Sequence, residues 1–347
     1  MMTSEIISKY KKYIYYRNIS IIIVTSVLMI ICFLISLNTG YSKLSVREIF
    51  YIMLGKGSQN QKLILFQYRL PRIIISALIG AGLSLSGCII QGISGNPLSD
   101  PGLLGINSGA GLMVILYALL SGVSGTFSIF LLPFLALVGA GVAAITVYLL
   151  AYKKHEGISN SRLILTGIAV QSGLFALTVL LIVTLDDMKF SIVAGWQAGQ
   201  IWGANWSYVL VLLLWMSILI PFFILKSKTL DILIMGDEIA TSLGVNVEKE
   251  RRKLLAVSVM LSACCVAVGG NISFVGLISP HLSRRLVGSK NHILLPVSVL
   301  IGAVLVCMAD TIGRTVIQPS SIPTGIMVAI IGAPYFIYLL TRKNISS

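Results

Sequence analysis

The side chains able to do chemistry are few in this sequence and form no familiar catalytic pattern. Twelve acidic residues and three histidines are spread over 347 residues, with no HExxH motif and no cluster at metal-ligand spacing. The GxxxxGK[ST] loop that cradles nucleotide phosphates is absent from the sequence. The cysteines form no CxxC pair and lie in apolar runs, as small buried hydrophobic residues do: Cys32, Cys88, Cys264, Cys265 and Cys307. These residue types predict no enzyme activity, no metal site and no cofactor.

Ionisable residues inside apolar runs would indicate proton or ion coupling, and the sequence offers one candidate pair. Asp310 lies four residues before Arg314, a spacing that favours an ion pair on one helix face. No acidic relay accompanies this pair within the apolar runs. If the chain moves a solute, ATP hydrolysed by a separate subunit is therefore favoured over an ion gradient as the energy source.

The elements that carry these residues are apolar segments of membrane length. The sequence is 56% hydrophobic and 11% charged, with a mean hydropathy of +0.93, whereas soluble domains carry about 25% charged residues. A bilayer core takes about 20 apolar residues to cross. We predict an all-α, polytopic membrane protein with about ten spans, at residues 19–37, 73–92, 105–120, 127–150, 163–185, 208–225, 254–268, 272–286, 294–309 and 324–340. The basic N-terminus resembles a signal peptide, but its apolar run is long, and we interpret it as a retained first span.

The charge distribution predicts an orientation. A net charge of +14 could indicate nucleic-acid binding, but the basic residues lie in short loops between apolar runs. With the N-terminus inside, 18 of the 26 Lys and Arg residues lie on the cytoplasmic side. The positive-inside rule then places both termini in the cytoplasm. Three arginines on the outer side need an explanation: Arg69, Arg72 and Arg314.

The chain contains two interrupted apolar segments, which suggest an internal repeat. Residues 95–105 (GNPLSDPGLLG) and 269–281 (GGNISFVGLISPH) both combine a Gly- or Pro-rich break with an apolar restart. Interrupted spans at matching places in two halves are typical of a transport pathway, although chance glycine use explains a similarity this weak equally well. We predict one transmembrane domain over 1–347 with five-helix inverted repeats at about 17–206 and 207–343. The corner at 96–105 is expected on the cytoplasmic side, near an inner gate.

The loop between the sixth and seventh spans is the most polar internal segment. Asp237 and Glu238 suit the positive end of a helix, and Gly244 supplies a turn. Two short helices at about 230–250 would form a surface for a cytoplasmic partner. An ordinary solvated loop accounts for the composition equally well.

Six motifs in order give the chain a resemblance to a known family. They are RLPR (69–72), GNPLSDPGLLGINSGAG (95–111), LGVNVEKER (243–251), ISFVGLISPHLSRRLVG (272–288), ADTIGR (309–314) and IPTGIMVAIIGAPYFIYLL (322–340). Together they resemble the FecCD-type permeases, which are the ten-span membrane subunits of ATP-binding-cassette (ABC) importers for iron–siderophores, haem and cobalamin. The resemblance covers nearly the whole chain and does not fix the cargo.

The resemblance implies partners and site residues. A second permease subunit, identical or paralogous, would share the pathway. Two cytoplasmic ATPases would dock on the coupling helices, with contacts at Gly236, Glu238, Ala240, Leu243 and Gly244. An extracytoplasmic substrate-binding protein would dock on Arg69, Arg72 and Arg314. The pathway or gate would include Asn160, Ser161 and Thr166.

The expected function is import of a ferric siderophore across the bacterial cytoplasmic membrane by alternating access. Haem or cobalamin import is the alternative within the family. A gradient-driven secondary carrier is the alternative from another class, and co-purification with a nucleotide-binding subunit would discriminate between the two classes.

Overall fold

A computed structural model describes residues 2–40, 45–120, 131–153, 157–158, 160–201, 203–318 and 320–343. The α-helices within these ranges are α1 Met2–Asn38, α2 Val46–Met53, α3 Gln59–Leu63, α4 Leu70–Ser94, α5 Ile106–Leu120, α6 Leu131–Ala151, α7 Asn160–Ile182, α8 Asp187–Gln197, α9 Trp206–Leu225, α10 Ser227–Ile234, α11 Asp237–Ser242, α12 Val247–Gly269, α13 Val275–Val287, α14 Asn291–Val316 and α15 Thr324–Lys343. A π-helical segment, Ile64–Arg69, leads into α4, and a 3₁₀ turn, Pro101–Leu104, precedes α5. The strands are two-residue pieces, β1 Tyr152–Lys153 and β2 Gly157–Ile158, which pair antiparallel.

The all-α, multi-span architecture is confirmed. Each of the ten predicted spans coincides with a helix, and seven helical stretches of the described chain are long and apolar enough to cross a membrane. The helices α5 and α15 add shorter apolar stretches, and α13 has only 13 residues. The start of the fourth predicted span, at 127–130, lies outside the described residues.

The first helix is longer than the apolar pattern predicts. It begins at Met2 rather than near residue 19 and has 37 residues, about 55 Å at the rise of an α-helix. That exceeds a bilayer core of about 30 Å. Hydropathy identifies only the part of a helix that lies in hydrocarbon. The apolar pattern therefore did not predict the polar first turns of α1.

Helix α4 is the central element of the bundle, and every residue from Ile79 to Ser94 is buried. Its Gly and Ser residues let neighbouring backbones approach closely, as small residues do in membrane helices. A Cβ at Gly80 would overlap the Gly302 carbonyl of α14, and one at Gly87 would overlap the Gly276 carbonyl of α13. Ser84 donates to the Ser298 carbonyl at 2.6 Å. The three helices are thereby fixed at close distance.

The perimeter of the bundle is apolar. Large aliphatic side chains on α1, α7 and α9 are exposed along most of each helix, a pattern that suits contact with lipid rather than water. The inverted relation between the two halves and the boundary between them stay predictions.

Candidate functional site

The three predicted outer arginines converge at one end of the bundle. Arg69 ends the π-helical segment, and Arg72 lies in the first turn of α4, one residue after Pro71. Asp310 and Arg314 lie one turn apart near the end of α14. We refer to Arg69, Arg72, Arg314 and Asp310 as the arginine cluster.

Asp310 is the acceptor at the centre of this cluster, and its side chain is 1% exposed. Its Oδ1 accepts from Arg72 Nε at 3.0 Å and from Arg72 Nη2 at 2.9 Å. Its Oδ2 accepts from Arg314 Nε at 2.9 Å, and Thr324, the first residue of α15, donates to Oδ1 at 3.0 Å. Charge-assisted bonds of this kind are among the strongest that proteins make, so one carboxylate joins α4, α14 and α15.

The remaining donors of the cluster reach the end of α1. Arg69 Nη1 donates to the Leu37 carbonyl at 2.7 Å, and Arg314 Nη2 donates to Ser36 Oγ at 2.7 Å. Arg69 is buried, whereas the Arg72 side chain is 21% exposed. Three cations and one carboxylate give the arginine cluster itself a formal charge of +2.

Part of this arrangement was predictable. The ion pair of Asp310 with Arg314 is confirmed. The bond from Arg72 to Asp310 joins residues 238 positions apart, and it was not predicted from the sequence. The usable signal was that a carboxylate lies on the same predicted side of the membrane as the unexplained arginines.

The two interrupted spans meet inside the bundle. Gly95 ends α4 with φ +63°, and Gly105 precedes α5 with φ +71°. In the second half Gly270, at φ +73°, ends α12. These left-handed conformations are the ones in which glycine avoids a steric penalty. Asn107 Nδ2 donates to Asn271 Oδ1 at 2.7 Å. The first turn of α5, which follows the first break, therefore contacts the second break directly after α12.

The first corner packs against α4 and α13. A Cβ at Gly276 would lie 2.8 Å from Asp100 Oδ1 and 3.0 Å from Pro101 Cδ. Gly276 packs on Gly87, which precedes the end of α4 by seven residues, or about 10 Å. The chain after Asn96 therefore folds back between α4 and α13, and its location on the cytoplasmic side near an inner gate stays a prediction. Gln91, buried in α4, reinforces the region by donating to the Gly276 carbonyl at 3.1 Å and accepting from Arg284.

The predicted coupling segment consists of two short helices, α10 and α11. Gly236 joins them with φ +107°, and Gly244, with φ +79°, separates α11 from α12. Gly236, Glu238, Leu243 and Gly244 are exposed, and Leu243 is 60% exposed. Ala240 is fully buried, so it supports this surface from beneath and offers no contact to a partner. Three neighbouring apolar side chains are exposed as well: Ile234, Met235 and Ile239.

Polar bonds fix the two short helices to the bundle. Asp231 Oδ1 accepts from the backbone N–H of Asn291 at 3.0 Å and from its Nδ2 at 2.7 Å, which ties α10 to the first residue of α14. Asp237 pairs with Arg251 of α12 at 2.8 Å. A solvated loop would not need these tethers, so the arrangement favours a rigid surface.

The predicted gate residues lie at the start of α7. Ser161 is exposed and Thr166 is half-buried. Asn160 is the first residue of the helix, and its side chain lies outside the described residues. Within the described part of the chain, no three His, Cys, Asp or Glu residues are grouped closely enough to hold a metal ion, and the five cysteines are buried and free.

Comparisons with known proteins identify relatives along nearly the whole chain. A model of the FecCD transport family matches residues 28–342. The iron(3+)-hydroxamate import system permease protein FhuG of Bacillus subtilis (strain 168) is 45% identical over 94% of this chain and 98% of its own length. The vitamin B12 import system permease protein BtuC of Vibrio vulnificus (strain CMCP6) is 37% identical over 92% of this chain and 94% of its own. A solved structure described as a metal-chelate type ABC transporter in an inward-facing conformation superposes with a TM-score of 0.81, at 33% identity, over 93% of this chain and 99% of its own.

Proposed function

The chain belongs to the FecCD transport family, and from that membership we propose that it carries ferric siderophores across the bacterial cytoplasmic membrane by alternating access. The family consists of multi-pass permease subunits of ABC importers for iron–siderophores, haem or vitamin B12. The cargo, the mechanism and the orientation with both termini in the cytoplasm are our proposal. A hydroxamate permease among the relatives supports the choice of cargo.

The observation that carries the energy-coupling part is the exposed apolar surface of α10 and α11. Four large apolar side chains are exposed on or beside two short helices that are tethered to α12 and α14: Ile234, Met235, Ile239 and Leu243. Exposed apolar side chains grouped in one place mark interaction sites. We assign this surface to a cytoplasmic ATPase, which would supply the energy, since the sequence contains no phosphate-binding loop of its own.

Single surface substitutions test this assignment. Leu243→Asp places a charge on the surface without touching the core, so it should release the ATPase subunit from the purified complex. Met188→Asp is the matched control, because Met188 is a similarly exposed apolar residue on α8, at the opposite membrane face in the proposed orientation. Retention of the ATPase by the Leu243 variant, or equal loss in both variants, would contradict the assignment.

The arginine cluster is our candidate dock for the substrate-binding protein. Its formal charge of +2 would attract carboxylates on a partner, and Arg72 is its most exposed cation. Arg72→Gln removes the charge and keeps a donor for Asp310. Since exposed ion pairs contribute about 0–1 kcal/mol each, we expect docking to weaken by no more than about fivefold. Arg47→Gln, at an exposed cation on α2 outside the cluster, should have no effect, and unchanged affinity in the Arg72 variant would remove Arg72 from the dock.

The cargo is tested by uptake in proteoliposomes that contain the permease, its ATPase and its binding protein. Ferric hydroxamate should be taken up with ATP present, and haem or cobalamin should not. Uptake of haem or cobalamin instead would select the alternative within the family. Uptake driven by an ion gradient without ATP would select a secondary carrier and overturn the proposal.

A further inference from the structure

An apolar groove lies on the perimeter of the bundle between α6 and α12. Its volume is about 380 Å³. Gly141, Ile145 and Tyr148 line it from α6, and Val259 and Met260 line it from α12, with Arg252 at one end. We refer to this feature as the α6–α12 groove. The coupling surface, the helix breaks and the arginine cluster do not share its residues.

The groove leaves open space at Gly141. A Cβ built at Gly141 meets no atom within 4 Å, although the two helices are in contact elsewhere along their length. The neighbouring Gly139 differs, since its Cβ would overlap the Gly109 carbonyl of α5. Close helix packing therefore accounts for Gly139, whereas an opening that points outward from the bundle surrounds Gly141.

The charge at the end of the groove is available to a ligand. Arg252 is 59% exposed, and its partner Glu248, at 3.3 Å, is 53% exposed. An exposed i, i+4 pair is worth only a few tenths of a kcal/mol, so an incoming phosphate can replace the carboxylate. The other lining residues named above supply no competing charge.

The dimensions suit one acyl chain. Gly141 lies ten residues before the end of α6, and Met260 lies eight residues after Arg252. These separations correspond to about 15 Å and 12 Å along the helices, which is close to half of a bilayer core of about 30 Å. A chain that enters at Arg252 would thus reach about the middle of the membrane.

We propose that the α6–α12 groove holds one anionic phospholipid, with an acyl chain over Gly141 and the phosphate on Arg252. The lipid belongs to the cytoplasmic leaflet in the orientation proposed above, and only this choice of leaflet depends on that orientation. Shape, apolar lining and the Arg252 cation at the end of the groove select an acidic lipid over a zwitterionic one, because each basic side chain near the membrane surface contributes to the attraction of anionic lipids.

Native mass spectrometry of the permease extracted from mixed phosphatidylglycerol and phosphatidylcholine bilayers tests the proposal. The wild-type chain should retain one phosphatidylglycerol. Gly141→Leu directs a large apolar side chain into the groove from a position where a Cβ meets no atom within 4 Å, and it should abolish retention. Val142→Leu is the matched control, because Val142 is exposed on the same helix but does not line the groove. Retention in the Gly141 variant equal to that of the control would overturn the proposal.

The headgroup contact is tested separately. Arg252→Gln should lower the preference for phosphatidylglycerol by about fivefold, and Lys249→Gln, at an exposed cation one turn away that does not line the groove, should not. If the Gly141 variant fails to fold, photocrosslinking of the wild-type chain with a phosphatidylglycerol that carries a photoreactive acyl chain provides the second readout. Crosslinks on α6 and α12 support the proposal. Crosslinks that fall outside α6 and α12 overturn it, as would a structure of the complex in which a protein helix fills the groove.

Discussion

Replacing Asp310 with Asn should destabilise the chain substantially, because this carboxylate is the only negative charge in the arginine cluster. The carboxylate accepts three bonds from guanidinium groups and one from Thr324. The asparagine side chain of the variant would keep one oxygen and present an amide N–H₂ to an arginine that also donates. Arg72 and Arg314 would then lack a counter-charge and would remain close to Arg69.

The magnitude follows from the burial of the partners. Breaking a buried ion pair from one side costs about 3–5 kcal/mol. The Arg72 and Arg314 side chains are 21% and 11% exposed, so water can partly solvate both in the variant. We therefore expect a loss of about 3 kcal/mol in the free energy of unfolding, at the lower end of that range.

Denaturant unfolding in detergent micelles, followed by circular dichroism, measures this loss. Thr324→Val is the matched control, since it removes one hydrogen bond from an uncharged donor to the same carboxylate and should cost about 1.5 kcal/mol, the low end for hydrogen bonds to charged groups. Combining Asp310→Asn with Arg314→Gln removes one of the unpaired cations, so the double variant should be more stable than the sum of the single effects predicts. A loss below about 1 kcal/mol, or strictly additive effects, would refute the view that charge compensation holds these helix ends together.

Three further predictions concern other parts of the chain. Gly87→Ala should destabilise the fold by about 1–3 kcal/mol, because the added methyl overlaps the Gly276 carbonyl. Gly173→Ala, at a helical site with open space, should be neutral or slightly stabilising in the same unfolding assay, and equal losses would refute the close approach. Asp231→Ala should leave the ATPase bound but reduce transport per ATP hydrolysed in proteoliposomes, because α10 loses its bonds to Asn291; unchanged stoichiometry would count against this link. The purified chain without partners should show no ATP turnover in a phosphate-release assay, and turnover that persists through further purification would disprove the division of labour.

The features that the sequence predicted correctly depend on local information. The length of an apolar run predicts a span because the bilayer has a fixed thickness, so all ten spans coincide with helices. The i, i+4 spacing of Asp310 and Arg314 predicts their ion pair because helix geometry alone brings the two residues together. Gly244 marks a turn for the same local reason, because glycine adopts the positive φ of +79° found there without a steric penalty.

The features that the sequence did not predict depend on how distant helices pack. Arg72 meets Asp310 only because α4 and α14 approach closely along Gly80 and Gly302. Ala240 was expected on a surface and is buried, because the tethers of α10 and α11 determine which side of α11 faces the bundle. The return of the 96–105 corner into the bundle requires Gly276 of α13 to leave room for Asp100. Apart from the shared predicted membrane side of Asp310 and the outer arginines, the sequence by itself contains no signal for these three features.

Helix α14 physically joins the two surfaces that we assign to partners. Its first residue, Asn291, bonds Asp231 of the coupling segment, and Asp310 near its other end holds the arginine cluster. The two positions are 19 residues apart, or about 28 Å along the helix. A displacement of α10 by an ATPase would therefore act on the helix that anchors the proposed dock of the binding protein. The close contacts of α14 with α4 make independent movement of either end costly, since packed helices shift between discrete arrangements rather than deform continuously. Opening at one face of the membrane would for this reason be linked mechanically to the state of the other face, which is the requirement that alternating access places on a permease.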